Sequence, residues 1–333
     1  MGENARERKQ QMSMSIKNQV AACREAIRKA VEFQISYQRP DGGYIWDGYA
    51  VDAYHKQAYS WSLTGHFTEG HKLLDWIKAN KLQPDGQLEA YNGDVYKHAW
   101  LFQGAQRLGR FDVAVPVWNF LKSCQYANGG FPHFKGNQVI RAIGTAWTGV
   151  SALYAGDLAL AKQCAACCLS MQNQQPRADR YYFQMKLDGT LYTEADSADA
   201  GFIDTAKIKQ CYWEVGFSML LMCKLYQITK DPTYLESARK FLEFKLRCQD
   251  DAFAYWGSGK SALAAAHYFM ITGDERARDA SLRFMQFVVE TQKPNGGFQY
   301  EDEPDELLIY VDHAACFSVW GTESISTMAS KIL

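Results

Sequence analysis

A short phrase recurs along this chain of 333 residues. Gln38-Arg-Pro-Asp41-Gly42-Gly43-Tyr44 returns as Gln125-Tyr-Ala-Asn128-Gly129-Gly130-Phe131 and again as Gln292-Lys-Pro-Asn295-Gly296-Gly297-Phe298, with a shortened copy, Gln83-Pro-Asp85-Gly86-Gln87-Leu88, between the first two. Self-similarity of this kind means that one supersecondary unit is used several times over. Asp/Asn-Gly marks a tight turn that needs positive φ, and the aromatic or leucine that follows returns the chain to the core.

Between the turns the chain reads as helix upon helix. Apolar positions at helical spacing predict segments at 15–37, 53–64, 67–80, 94–108, 110–125, 141–155, 157–172, 206–229, 232–248, 256–272, 274–291 and 312–331. Short junctions such as Leu108-Gly109-Arg110 and Ala155-Gly156-Asp157 end one helix and open the next, glycine as the left-handed terminator and Asp as the following cap. Six helical pairs with an apolar first and last helix predict an all-α, closed (α/α)6 toroid rather than an open solenoid, whose end repeats carry polar caps. Residues 1–15 read as a polar tail and 16–333 as one toroid domain. The wider spacing after Gly130 places an insertion at 173–205, expected as a solvated loop that could cover the barrel mouth.

A net charge of −1 argues against nucleic acid or an anionic membrane as partner, and no run is long enough to span a bilayer. Nine cysteines without framework spacing, and an N-terminus lacking an apolar signal core, predict a cytoplasmic protein whose cysteines pack as small apolar groups. No dinucleotide turn, phosphate loop, nucleophile elbow or His-Glu-x-x-His is found, so the expected cofactor is none and the expected metal none. The expected partner is a small-molecule substrate. Oligomeric state has no signature in the sequence.

In a toroid the inner helices all begin at one mouth. The segments leading into them are rich in acids, imidazoles and rings. Asp52 with His55, Asp94 with His98, and Asp312 beside His313 pair a carboxylate with an imidazole, the arrangement general acid–base catalysis uses. Glu214 lies among Tyr212, Trp213 and Val215, where burial would raise its pKa and suit it to donate a proton. These seven groups are the catalytic candidates. Tyr44, Trp46, Tyr59, Trp100, Arg141, Trp147, Tyr212, Trp213, Tyr255 and Trp256 are the candidates for holding substrate, with barrel packing the competing role for each tryptophan.

Gln-x-x-Asp/Asn-Gly-Gly-aromatic between barrel helices resembles the repeat of the terpenoid cyclase and protein prenyltransferase toroid superfamily, over residues 16 to 333. The resemblance implies an (α/α)6 barrel with a central cavity for an apolar or ring-bearing, terpenoid-like metabolite. It implies a cofactor-independent cyclase, isomerase or lyase initiated by an acid, with aromatic rings stabilising positive charge. The aspartate motifs of those cyclases and synthases are absent, so no magnesium or zinc set is assigned. Two alternatives stand beside this expectation. One is a glycan-active (α/α)6 enzyme (sugar epimerase, polysaccharide lyase or unsaturated-uronide hydrolase), with Arg141 or Lys260 positioned to hold a uronate. The other is a non-catalytic binding toroid.

Overall fold

The computed structural model describes residues 2–44, 54–299 and 307–333. Among these, twelve α-helices dominate: α1 (Gly2–Ser36), α2 (Gln57–Thr64), α3 (Phe67–Asn80), α4 (Val95–Arg107), α5 (Phe111–Lys122), α6 (Ala142–Tyr154), α7 (Leu158–Asn173), α8 (Trp213–Thr229), α9 (Pro232–Arg247), α10 (Gly259–Thr272), α11 (Glu275–Thr291) and α12 (Leu307–Ile332). The even-numbered helices pack in sequence, α2 on α4, α4 on α6, α6 on α8, α8 on α10, α10 on α12, and α12 back on α2. The odd-numbered helices surround them, and α1 closes the outer layer against α11 and α12. This is the closed (α/α)6 toroid that the repeats predict, and the α12–α2 contact excludes an open solenoid.

Composition assigns each helix to its layer. Along α6 every residue from Ala142 to Ala152 is buried, as an inner helix requires. In α11 the buried positions Ala277, Ala280, Ser281, Phe284, Met285 and Val288 form one stripe, and the opposite face is charged.

The recurring phrase proves to be a staple between neighbouring outer helices. Gln38 Nε2 donates to the Gly42 carbonyl and to that of Glu69 in α3. Gln292 Nε2 does the same to Gly296 and to Ala26 in α1, across the ring closure. The Asp or Asn side chain accepts from the amide two residues on, as at Asp41, Asp85, Asn128 and Asn295. Gly86 has φ +87°, and a Cβ there would lie 2.0 Å from the Pro116 carbonyl of α5. Only glycine lets the turn press so closely on the next helix. Tyr44, Leu88, Phe131 and Phe298 then plug the gap, each at most 1% exposed.

Three boundaries differ from expectation. Helix α1 begins at Gly2, so the polar segment expected as a tail is helical; Ala5 to Met12 holds good helix formers and no breaker. Helix α8 starts at Trp213 rather than 206, after Lys209 adopts φ 54°. The insertion is not a bare loop. It contains β2 (Arg180–Tyr182), β3 (Gln184–Lys186) and β4 (Phe202–Asp204). Strand β2 pairs antiparallel with β4, and β3 with β1 (Val139–Arg141), the strand that leads directly into α6. The insertion is thereby anchored where an inner helix begins. Among the described residues no helix is long and apolar enough to cross a membrane.

Candidate functional site

Successive helices alternate in direction, so the six inner helices start at the same end. Halfway down the barrel their rings meet. Trp100 of α4 lies 4.9 Å from Trp147 of α6 and 5.0 Å from Trp320 of α12, and Trp147 lies 4.5 Å from Phe217 of α8 (centroid distances). All four are at most 1% exposed. They form an aromatic floor that divides the interior into two polar ends.

Above the floor lies the mouth. Lys56, immediately before α2, donates from Nζ to Asp312 Oδ2 at 2.5 Å, joining residues 256 apart in sequence. His55 Nε2 approaches the other oxygen of Asp312 at 3.6 Å. Lys56 Nζ stands 5.9 Å above the Trp100 ring, and Lys260, in the first turn of α10, holds its Nζ 5.8 Å from Trp320. Cys316 lies between them, 3.7 Å from Lys260 Nζ, and accepts from Trp320 Nε1 at 3.1 Å. His55, Lys56, Lys260, Asp312 and Cys316 are all at most 6% exposed. Half-buried His313 packs against Trp256, with ring centroids 4.2 Å apart and planes tilted by 36°. Its imidazole is held well below the ordinary value by burial first and by Lys56 and Lys260 second, so it is neutral near pH 7.

Trp256 also walls an open cleft of about 400 Å³ shared with Ile208, Tyr255, Phe287 and Gln299. Trp256 faces this cleft, and His313 packs against the same ring. Of the ring candidates, Tyr255 and Trp256 line this cleft. Tyr44 is wholly buried beside Tyr54, close enough to Asp312 for that charge to help raise its phenol, although burial is the larger cause.

Other candidates make their hydrogen bonds within the protein. His98 points away from the mouth: Nε2 accepts from the Leu88 amide at 2.9 Å, and Nδ1 lies 2.6 Å from the Asp94 carbonyl. Burial lowers its pKa to about 4. The expected Asp94–His98 carboxylate pair is therefore not formed, because the Asp94 side chain caps α4 at the Lys97 amide. Glu214 is fully buried and clamped by Arg141 and by the Ile143 amide at 2.8 Å. Burial raises its carboxyl while Arg141 opposes, and Arg141 spends one end of its guanidinium on this contact. The adjacent Asp312 turns to Lys56 and His55, not to His313.

Among the rings, Trp100 and Trp147 are floor. Tyr59 sends its hydroxyl to the opposite end, where it meets Tyr154 at 3.1 Å and the Arg107–Glu323 ion pair. Tyr212 is buried with its hydroxyl on Asp251 at 2.7 Å and its ring under Lys245. Trp213 is half-buried against Gly257. Asp52 and Trp46 lie outside the described residues. Lys56 and Cys316 escaped the sequence reading: a lysine before a short helix and a cysteine within a long one carry no distinguishing pattern. Among the described residues no group of three His, Cys, Asp or Glu is arranged to hold a metal.

No protein-family model matches the sequence, and no curated protein matches it. Solved structures do. A GH76 α-mannanase of Bacteroides thetaiotaomicron superposes with a TM-score of 0.68 at 11% identity, covering 93% of this chain and 97% of that one. A D-mannose isomerase gives 0.66 at 12%, covering 89% and 96%. An inactive variant of the GH76A α-1,6-mannanase of Salegentibacter sp. HEL1_6, bound to α-1,6-mannotetrose, gives 0.63 at 16%, covering 90% and 98%. The chain is similar to sugar-processing toroids. At these identities the likeness establishes the fold. The expected kinship with terpenoid cyclases, and the terpenoid-like substrate with it, is corrected: the similar structures are carbohydrate enzymes, and the barrel centre that an apolar metabolite would occupy is filled by the aromatic floor.

Proposed function

We propose that this chain is a sugar-processing enzyme that works by proton transfer at the barrel mouth, as an isomerase, epimerase or lyase. In this scheme neutral His313 removes a proton from the carbon beside a carbonyl or carboxyl group. Lys56 faces the oxygen on which negative charge develops. His55, entering protonated and held by Asp312, gives its proton to the neighbouring carbon in an isomerase, to the other face of the same carbon in an epimerase, or to the departing oxygen in a lyase. Trp256 supports the sugar ring. The observation that carries the proposal is the convergence of His55, Lys56, Asp312 and His313 across the ring closure, beside a cleft open to solvent.

A glycosidase requires two carboxyl groups facing one another across the scissile bond. Among the described residues Glu214 is taken by Arg141, Asp94 caps a helix, and Asp312 is bonded to Lys56 beside His55. The Salegentibacter variant is inactive with two neighbouring aspartates replaced. The one adjacent pair in this sequence, Asp250-Asp251, has Asp250 fully exposed opposite Arg283 and Asp251 holding Tyr212. Among the described residues, the groups at the mouth favour proton transfer over hydrolysis.

The test is incubation with aldoses, ketoses and uronates in deuterated water. The proposal predicts deuterium at the carbon beside the carbonyl or carboxyl, and a loss of rate of about 10²–10⁴ in His313→Gln. Release of reducing ends from an oligosaccharide without any such exchange would establish hydrolysis instead.

A further inference from the structure

Among the described residues no carboxylate is hydrogen-bonded or ion-paired to the buried ammonium of Lys260. The residue is 6% exposed, and the acceptor for its ammonium is the Cys316 sulfur, at 3.7 Å. A lysine ammonium has three donors, and burying it without oxygen partners is costly. Its neighbours at the mouth do not supply them. The nearby Asp312 is bonded to Lys56, and Arg141 is matched by Glu214. His313 is neutral and so does not compete for an anion, which leaves the Lys260 ammonium with a sulfur as its acceptor among the described residues. The first turns of six inner helices add their positive ends on the same side. Burial first, and Lys56 after it, lower the pKa of Lys260 while Cys316 and Asp312 oppose; a bound carboxylate would favour the charged form.

Resting on the sugar-processing reading above, we propose that Lys260 receives the carboxylate of an acidic sugar, so that the substrate class is the uronates rather than neutral hexoses. The single positive charge of Lys260 suits a monoanion, whereas a phosphate dianion would bring a second buried negative charge that this ammonium cannot match. The carboxylate would lie over the Trp320 edge of the aromatic floor, with the sugar ring reaching toward His313 and Trp256.

The experiment is titration calorimetry of the full chain with D-glucuronate, D-glucose and glucose 6-phosphate. The proposal predicts that glucuronate binds at least about tenfold more tightly than glucose, a modest return for one buried ion pair. Lys260→Met should abolish that preference, and Lys260→Arg should retain most of it. The Met variant should also melt at a higher temperature than the parent, because a buried charge has been replaced by an apolar chain of similar length; a purely structural lysine would lower it. Equal binding of glucuronate and glucose, tighter binding of glucose 6-phosphate, or a preference that survives in Lys260→Met would each overturn the carboxylate site. Failure to bind any of the three would overturn it too. Deuterium exchange into a neutral sugar alongside such a failure would leave proton-transfer chemistry standing, so the two ideas fall separately.

Discussion

At the scale of single residues, the structure separates groups that look alike in sequence. His98 and His313 each follow an aspartate near the start of an inner helix, yet His98 is locked to backbone on both nitrogens while His313 packs against Trp256. The consequence for His98 is a definite pH dependence. Its folded pKa is about 4 against an ordinary 6.5, so between those values the unfolded chain takes up a proton that the folded chain refuses. Stability therefore falls as pH is lowered through that window, by about 3 kcal/mol at its limit. His267, held at about 3 by burial, has the same sign. Denaturant midpoints measured from pH 7 to 4 should drop steadily, and His98→Gln should flatten part of that slope. Glu214 offers a second check. Glu214→Ala leaves Arg141 and the Ile143 amide without their acceptor and should cost about 3–5 kcal/mol, read from the same denaturation curves.

The fold was the legible part, and the element scale explains why. The Gln-x-x-Asp/Asn-Gly phrase encodes its own geometry: a glutamine that reaches the next outer helix, a side-chain-closed turn, and a glycine where no Cβ fits. Local chemistry of that kind can be read from seven residues. Gly86→Ala should cost about 2 kcal/mol or more through strained φ and the clash with Pro116, while Gly109→Ala, with open space around the site, should suffer only the backbone strain. A larger loss of thermal stability at Gly109 than at Gly86 would contradict the staple. The insertion was misread because its strands are three residues long, and β3 finds its partner in β1, some forty residues earlier. Such pairing leaves no periodic trace.

At the scale of the whole molecule, the site is a product of ring closure. Asp312 meets Lys56 and His55 only because the last inner helix packs beside the first, so neither the pairing nor the direction of each side chain could be read from local spacing. The carboxylate–imidazole theme was visible at Asp312, His313 and His55. Which partner each would take was not, since that depends on the rotation of α12 against α2. The aromatic floor was half legible for the same reason: Trp100 and Trp147 stood out as repeat-matched rings, but Trp320 and Phe217 sit mid-helix among other apolar residues. The floor also fixes where a substrate can go, because it seals the mouth from the Arg107–Glu323 end. The most direct measurement is a crystal structure of the protein with D-glucuronate bound. The account predicts the sugar above the Trp100–Trp320 floor, with polar atoms within hydrogen-bonding reach of His313, Lys56 and Lys260. A sugar seated at the Arg107–Glu323 end, or on the outer helices with the mouth empty, would contradict it.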